Sequence, residues 1–315
     1  MRLLKLVPDN TNFHFLRLRW AALTLSLALV FGSWALLAVK GLNYGVDFAG
    51  GLTMEVGFAQ AAPLDDLRRT VGALGVGEPT IQEFGGPNIV AIRLPLPPGE
   101  EGATQKVVAR VTDAVKARHA DASVRRVETV SGKVSGELIR DGAIAAVVGM
   151  FLVALYIWFR FEWAFGVGAL SSLVHDVSIT LGFFAITRLE FNLNIVAAVL
   201  TIIGYSLNDT IVVYDRIREN LRKFRKMQLA ELLDLSVNET LSRTIVTSLS
   251  LIIALAILLV LGGEVLRGFT AAMLLGIFIG TYSSIYIAAP LLIWVGIGRT
   301  SFGGGDAAAE RAARP

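Results

Sequence analysis

The 315-residue chain contains no cysteine. It therefore has no disulfide bond, no zinc–thiolate or iron–sulfur site and no thiol nucleophile, and cysteine usage leaves its redox compartment undetermined. Charged residues are also scarce, at 17% of the chain, whereas a soluble domain has ~25%. Since 54% of the residues are hydrophobic, the composition predicts a membrane protein.

Apolar stretches close to the ~20 residues needed to cross a bilayer occur repeatedly along the chain. We predict a spanning helix in each, and we interpret the first as a retained signal anchor because it is too long for a cleavable signal peptide. Pro290 is expected to kink the last span. The six predicted spans are residues 20–39, 142–159, 163–187, 191–214, 244–261 and 268–297.

Lysine and arginine in the short connecting segments predict the orientation of the chain. They are concentrated in residues 1–19, 215–243 and 298–315, while the opposite short loops carry only Arg188 and Arg267. We therefore expect both termini and the loop 215–243 to face the cytoplasm. The basic residues of that loop are interpreted as lipid-headgroup contacts rather than a nucleic-acid site. The glycine-rich tail is expected to be disordered.

Residues 40–141 differ from the rest, because their basic and acidic residues are nearly balanced and they contain no apolar run of spanning length. The predicted orientation places them outside the cytoplasm. Alternating and 3.6-residue apolar patterns predict the order β-α-β-β-α-β of a ferredoxin-like α+β domain. No residue pattern in it suggests catalysis, and His119 is expected to lie on the surface without a partner. The predicted fold is a six-helix membrane bundle with this extracytoplasmic domain.

Asp209 lies inside the fourth predicted span, where an ionisable side chain costs at least ~2.5 kcal/mol. Such residues usually belong to ion pathways or proton relays. Arg243 begins the fifth span, and helices joined by one loop are plausible neighbours. Burial disfavours an ionised carboxyl group and a nearby guanidinium favours it, so the pair suits a proton carrier and its gate. A static ion pair between helices is the alternative. The face of Asp209 also carries Thr201, Gly204, Tyr205 and Asn208.

His175 and Asp176 lie inside the third predicted span. Histidine can shuttle protons, so this pair, with Tyr205 and Asn208, is a candidate polar relay. The two side chains can equally well bond only to each other or to a neighbouring helix. They are too few to form a metal site, and we expect none.

The segment 45–51 reads GVDFAGG and follows the first span. We interpret Gly45, Asp47, Gly50 and Gly51 as a structural junction, because glycine permits backbone conformations that other residues avoid. Asp47 can cap nearby amide groups. A phosphate-binding loop is the alternative, but the Lys-Ser/Thr pair that such a loop needs does not follow.

Four motifs occur in order with His175-Asp176: GVDFAGG, GYSLNDT at 204–210, DRIREN at 215–220 and TLSRT at 240–244. Together they resemble the SecF branch of the SecD/SecF family of protein-export membrane proteins, which is similar to half of a resistance-nodulation-division transporter. The resemblance covers about residues 10–297. In that family the aspartate of the second motif and the arginine of the fourth belong to the proton path, which implies Asp209 and Arg243 here.

The resemblance implies a transport factor of the bacterial inner membrane rather than an enzyme. It implies a partner, SecD, whose six spans complete a twelve-span unit, and association with the SecYEG channel. The pair would use the proton-motive force to pull preproteins outward after the SecA ATPase has pushed them. Protons are the coupling ion, and no cofactor is implied. Two alternatives stay open: half of a small-molecule efflux transporter, disfavoured by the single small outer domain, and a non-transporting assembly subunit.

Overall fold

The structure is a computed structural model and describes residue 8 and residues 11–96 and 102–297. The predicted disordered tail, 298–315, lies outside the described residues. In chain order the elements are a 3₁₀ turn (Phe15–Leu18), α1 (Arg19–Lys40), α2 (Val46–Ala49), β1 (Gly51–Gly57), α3 (Leu64–Gly72), β2 (Thr80–Glu83), β3 (Ile89–Leu94), α4 (Ala103–Arg118), β4 (Ser123–Val130), α5 (Gly132–Arg160), α6 (Trp163–Thr187), α7 (Leu193–Lys223), α8 (Leu229–Leu261), α9 (Glu264–Ser283), a π-helical turn (Ser284–Ala288) and α10 (Ala289–Val295).

Six helical segments in the described ranges are long and apolar enough to cross a membrane, which confirms the predicted bundle. They are α1, α5, α6, α7, α8 and the continuous segment from α9 to α10. Many of their large apolar side chains are exposed, as expected of surfaces that face lipid. The helices α7 and α9 pack closely, and Gly276 leaves no room for a side chain beside Ile202. Small residues allow this close approach of two spanning helices.

Residues 215–243 are not the loop that hydropathy predicts. The helix α7 continues to Lys223 and α8 already begins at Leu229, so a helical hairpin extends beyond the apolar spans. Its inner face is apolar and buried, whereas its charged residues lie outside. Such an amphipathic extension fails a hydropathy test although it is helical. The buried residues of the hairpin include Ile217, Leu221, Leu232, Leu233 and Val237.

The start of α5 and the region before Pro290 also differ from expectation. The helix α5 begins at Gly132, directly after β4, rather than at residue 142. In the last span, where a kink was expected at Pro290, the structure has a π-helical turn that ends at Ala288, two residues before the proline. Proline has no amide hydrogen to donate within a helix, so a change of hydrogen-bond pattern is expected beside it.

The α/β domain has a four-stranded antiparallel sheet in the order β2-β3-β1-β4. With α3 and α4 on one face, this is the ferredoxin-like arrangement that the residue pattern predicts. Leu52, Met54 and Ile92 point into the core between sheet and helices. The prediction for His119 was wrong: its Nε2 lies 3.0 Å from Asp66 Oδ2, and the side chain is largely buried.

The GVDFAGG segment connects the bundle to the sheet. It forms α2, after which Gly50 and Gly51 adopt φ values of 67° and 120°, which favour glycine. A Cβ atom on Gly51 would lie 2.8 Å from the carbonyl oxygen of Leu94. Asp47 Oδ2 accepts a hydrogen bond from the amide of Leu193 at 2.9 Å, at the first turn of α7. This geometry fits a structural junction.

Candidate functional site in the helix bundle

Asp209 is buried in the interior of the bundle, with 6% of its surface exposed. Thr244 Oγ1 on α8 donates a hydrogen bond to Oδ1 at 2.6 Å. Ser284 is the first residue of the π-helical turn, and its Oγ donates a hydrogen bond to Asp209 Oδ2 at 2.7 Å. Each carboxyl oxygen therefore accepts one hydroxyl hydrogen bond, and the carboxyl group joins three helical segments.

Arg243 does not contact Asp209 in this structure. Its side chain is exposed, and among the described residues it forms no hydrogen bond and no ion pair within 4 Å. Successive residues of an α-helix are about 100° apart, so Thr244 faces Asp209 while Arg243 points to the outside of the bundle. The guanidinium is still close enough to act electrostatically on the carboxyl group.

A second carboxyl group, that of Asp176 on α6, is fully buried nearby. Its Oδ1 lies 2.9 Å from Nδ1 of His175. Its Oδ2 accepts hydrogen bonds from Ser206 Oγ on α7 at 2.5 Å and from Ser283 Oγ on α9 at 2.9 Å. The structure thus brings the predicted pair together and adds two hydroxyl groups from neighbouring helices.

The two carboxyl groups are connected through consecutive residues of one segment. Ser283 bonds to Asp176, and the next residue, Ser284, bonds to Asp209. Ser172 Oγ also donates to Ser283 Oγ at 2.8 Å. Ser283 and Ser284 are joined through the backbone, and their second bonds go to the carbonyl oxygens of Gly280 and Thr281, so the two acids are linked mechanically by one helical segment.

One ring nitrogen of His175, the buried Nε2, makes no hydrogen bond in the described part of the chain. The ring stacks against Tyr282 at a centroid distance of 6.0 Å, and the Tyr282 hydroxyl bonds to Ser26 Oγ on α1 at 3.0 Å. Across the described ranges, no cluster of three or more His, Cys, Asp or Glu residues can hold a metal ion.

The other two candidate relay residues lie apart from this network. The Tyr205 hydroxyl bonds to Ser248 at 2.8 Å, and Ser248 bonds to Thr281 at 2.9 Å. Asn208 is exposed on the outer face of α7, and no hydrogen bond of its side chain occurs among the described residues. Although sequence spacing places Asp209 and Asn208 on one helical face, Asp209 lies on its buried edge and Asn208 on its exposed edge.

The reading of the sequence missed the hydroxyl partners of both acids. The partners predicted from the sequence were Arg243 for Asp209 and His175 for Asp176, whereas the hydroxyl bonds come from Ser206, Thr244, Ser283 and Ser284. The sequence did contain a signal, because each helix that packs beside an acid carries a serine or threonine on its bundle-facing side. Ser283 and Ser284, which lie shortly before Pro290, carried no such signal on their own.

Comparison with known proteins identifies the family. A family model described as protein export membrane protein SecD/SecF, C-terminal, matches residues 110–297, and a SecD/SecF GG motif model matches residues 35–62. The protein translocase subunit SecF of Rickettsia akari is 42% identical over 92% of this chain and 94% of its own length. The chain belongs to the SecF family. The SecF subunit of Rhodobacter capsulatus is 41% identical over 94% of this chain and 92% of its own length.

Solved SecDF structures share the fold of this SecF-family chain. The crystal structure of SecDF from Thermus thermophilus, described as a translocon-associated membrane protein, superposes with a TM-score of 0.83 at 36% identity over 93% of this chain. SecDF in a super-membrane-facing form gives 0.65 at 33% identity over 97%. The chain spans only 40% of the length of either SecDF chain. The GG motif match contains the junction 45–51.

Proposed function

We propose that this SecF-family translocase subunit uses the proton-motive force to assist preprotein translocation through SecYEG, with Asp209 as the group that takes up and releases the proton. The observation that carries the proposal is the setting of Asp209. It is a buried carboxyl group held only by two hydroxyl groups, without a cation within 4 Å among the described residues. An ionised carboxylate in that setting is costly, so it needs either a proton or a counter-ion.

Arg243 supplies the counter-ion in a second state. It directly precedes Thr244, so a rotation of α8 by about 100° exchanges a hydroxyl group for a guanidinium beside Asp209. A guanidinium stabilises the ionised carboxylate and cannot lose its own proton. Arg243 therefore acts as a gate that sets when Asp209 releases its proton, and no cofactor takes part.

Asp176 and His175 extend the path. The consecutive residues Ser283 and Ser284 connect Asp176 with Asp209, so a rearrangement of the π-helical turn alters both acids together. π-Helical turns are frequent at functional sites. One charge crossing ~100 mV supplies about 2.3 kcal/mol, and a unit of pH difference adds about 1.4 kcal/mol per proton. These energies are sufficient to bias a helix movement.

The outer surfaces of α7 and α8 support SecD as the partner. Polar side chains exposed to lipid are unfavourable, so a polar stripe on spanning helices is expected to be covered by protein. The 40% coverage of the solved SecDF chains agrees with a subunit that is completed by another. The exposed small and polar residues of this surface are Thr201, Gly204, Asn208, Arg243, Thr247 and Ser250.

We place the complex in the bacterial inner membrane, with both termini and the α7–α8 hairpin in the cytoplasm and the α/β domain outside. The distribution of lysine and arginine supports this orientation. SecA would act on the same preprotein from the cytoplasmic side and so be an indirect partner. A preprotein emerging outside would then meet the side of the membrane that carries the α/β domain.

A static assembly role is the competing explanation, because the Asp209 bonds also hold three helical segments together. Asparagine preserves the shape of Asp209 and can bond to the same hydroxyl groups, but it cannot titrate. We therefore expect Asp209→Asn to retain assembly and to lose the proton-gradient-dependent part of preprotein translocation in energised membrane vesicles.

The matched control is Asp141→Asn, an exposed aspartate within α5, nine residues after its first residue. It should leave gradient-dependent translocation at the parental rate, at equal expression and equal recovery with SecD. Translocation near the parental rate in Asp209→Asn would refute the proton-carrier role and favour the assembly role.

A further inference from the structure

A charged cavity lies at the end of the bundle where α5 ends and α6 begins. Since α5 starts at the α/β domain, this end is the one opposite that domain. The cavity has a volume of about 590 Å³ and opens to the exterior. Its lining consists entirely of charged residues: Arg160, Asp215, Arg218, Glu219, Arg222 and Lys223.

The lining carries an excess of positive charge, with four basic and two acidic residues. Both acids are already paired, Asp215 with Arg160 at 3.0 Å and Glu219 with Arg216 at 2.6 Å. Among the described residues, no carboxylate lies within 4 Å of the charged nitrogens of the other three cations of the lining. The cavity therefore offers several cations to an anion.

Two guanidinium groups are held in place by an aromatic ring. Those of Arg160 and Arg218 lie 5.0 Å and 5.6 Å from the centroid of the buried Phe161 ring. Arg218 Nη1 also donates to the carbonyl oxygen of Arg160 at 3.3 Å, while its Nε is buried without a hydrogen-bond partner in the described ranges. A positioned guanidinium loses little entropy when it binds an anion, and its planar fork matches two oxygens of a phosphate.

Exposed aromatic residues indicate that the cavity lies where the helices leave the bilayer. Phe159 and Trp163 flank the turn at Arg160 and are 82% and 61% exposed. Tyr156, one helical turn earlier on α5, is also exposed. Aromatic residues of this kind are enriched at the membrane–water interface, at the level of the lipid headgroups. Phe159 directly precedes Arg160 of the lining, so an anion bound in the cavity would have an exposed apolar side chain close to it.

We propose that this cavity binds the phosphodiester headgroup of an anionic phospholipid. The guanidinium groups and Lys223 neutralise the phosphate, and the exposed aromatic side chains contact the acyl chains. A zwitterionic lipid carries the same phosphate together with a cationic group that the positive lining repels. A soluble phosphate ion satisfies the cations and gains nothing from the aromatic surface. Anionic phospholipid is thus the ligand that fits both parts.

The test uses the purified full chain in an uncharged detergent. Binding of dioctanoyl phosphatidylglycerol, dioctanoyl phosphatidylcholine and inorganic phosphate is measured separately by native mass spectrometry and by competition. We expect phosphatidylglycerol to bind most tightly. Arg222→Gln should weaken that binding about fivefold, the usual effect of one cation near a charged lipid surface. Lys226→Gln, an exposed charge of the same segment that is outside the lining, should weaken it less than twofold.

Three results overturn the proposal. Equal binding of the two lipids removes the preference for an anionic headgroup. Equal losses in Arg222→Gln and Lys226→Gln show a diffuse electrostatic field rather than a site. Displacement of the lipid by inorganic phosphate at the lipid's own concentration shows a soluble-anion site. Arg222 is exposed and forms no ion pair in the described part of the chain, so its variant should keep the parental melting temperature.

Discussion

Arg93 attaches the α/β domain to the helix bundle through contacts that can be tested individually. It lies on β3, on the sheet face opposite the core. Its Nη2 is 2.6 Å from Glu190 Oε2 in the α6–α7 connection, and both side chains are only 14% exposed. Its Nη1 donates to Asn43 Oδ1 at 3.1 Å and to the carbonyl oxygen of Tyr44 at 3.0 Å.

Replacing Arg93 by alanine leaves Glu190 shielded from water and unpaired. Removal of one partner from a buried ion pair costs about 3–5 kcal/mol, and the remaining exposure reduces this to about 2–3 kcal/mol here. The free energy needed to open the contact between domain and bundle should fall by the same amount, about 2–3 kcal/mol. Because ~1.36 kcal/mol corresponds to a factor of ten, amide exchange at the contact should be about 30- to 150-fold faster.

Hydrogen exchange of the full chain measures this effect directly. The reporting amides are those of Gly45, Phe191 and Leu193, which bond across the junction to Phe191, Asn43 and Asp47. Arg125→Ala, which removes an exposed arginine from the same sheet, should leave their exchange within about twofold of the parent. The double variant Arg93→Ala/Glu190→Gln removes the orphaned charge and should recover part of the protection. Equal exchange in Arg93→Ala and Arg125→Ala would refute the reasoning.

Two further predictions concern stability of the full chain. Burial raises the pKa of Glu55 above its ordinary value of 4.5, against the opposing attraction of Arg126. Its stabilising contribution is therefore present below pH ~4.5 and lost as the pH rises through the raised pKa. Glu55→Gln should melt higher than the parent at pH 7 but not at pH 4, and a pH-independent difference would contradict this. Gly276→Ala should lower the free energy of unfolding by about 1–3 kcal/mol, because the new methyl group overpacks Ile202. Gly204 has open space around it, so Gly204→Ala should raise that free energy by about 0.5–1 kcal/mol. Equal effects of the two variants in unfolding titrations would exclude the packing argument.

The existence of the spans could be predicted because apolar runs of spanning length directly reflect the bilayer. Their ends could not, since the hairpin beyond Tyr214 buries a narrow apolar stripe such as Ile217 and Leu232 beneath charged residues. A hydropathy average cannot distinguish that pattern from a polar loop. The strands of the α/β domain alternate more clearly, and their order followed from the pattern.

The candidate site was predicted only in part, for a geometric reason. The position of Asp209 in an apolar run was sufficient to identify it as a buried acid. Its partner on α8 depends on helix rotation, and a difference of one residue separates Thr244 from Arg243. Ser284 reaches Asp209 from a π-helical turn, whose position depends on tertiary packing that a local pattern does not contain.

The α6–α7 connection joins the candidate site to the α/β domain. The helix α6 carries Asp176 and α7 carries Asp209, and Glu190 between them is held by Arg93 of the sheet. A shift of one helix against the other must therefore move the residue to which the domain is attached. One proton crossing ~100 mV supplies about 2.3 kcal/mol, which is comparable to the ~2–3 kcal/mol expected for the Arg93 contact. Because the two energies are of the same size, in the proposed proton-driven cycle the Arg93 contact decides whether the domain follows the connection, and Arg93→Ala should uncouple the two.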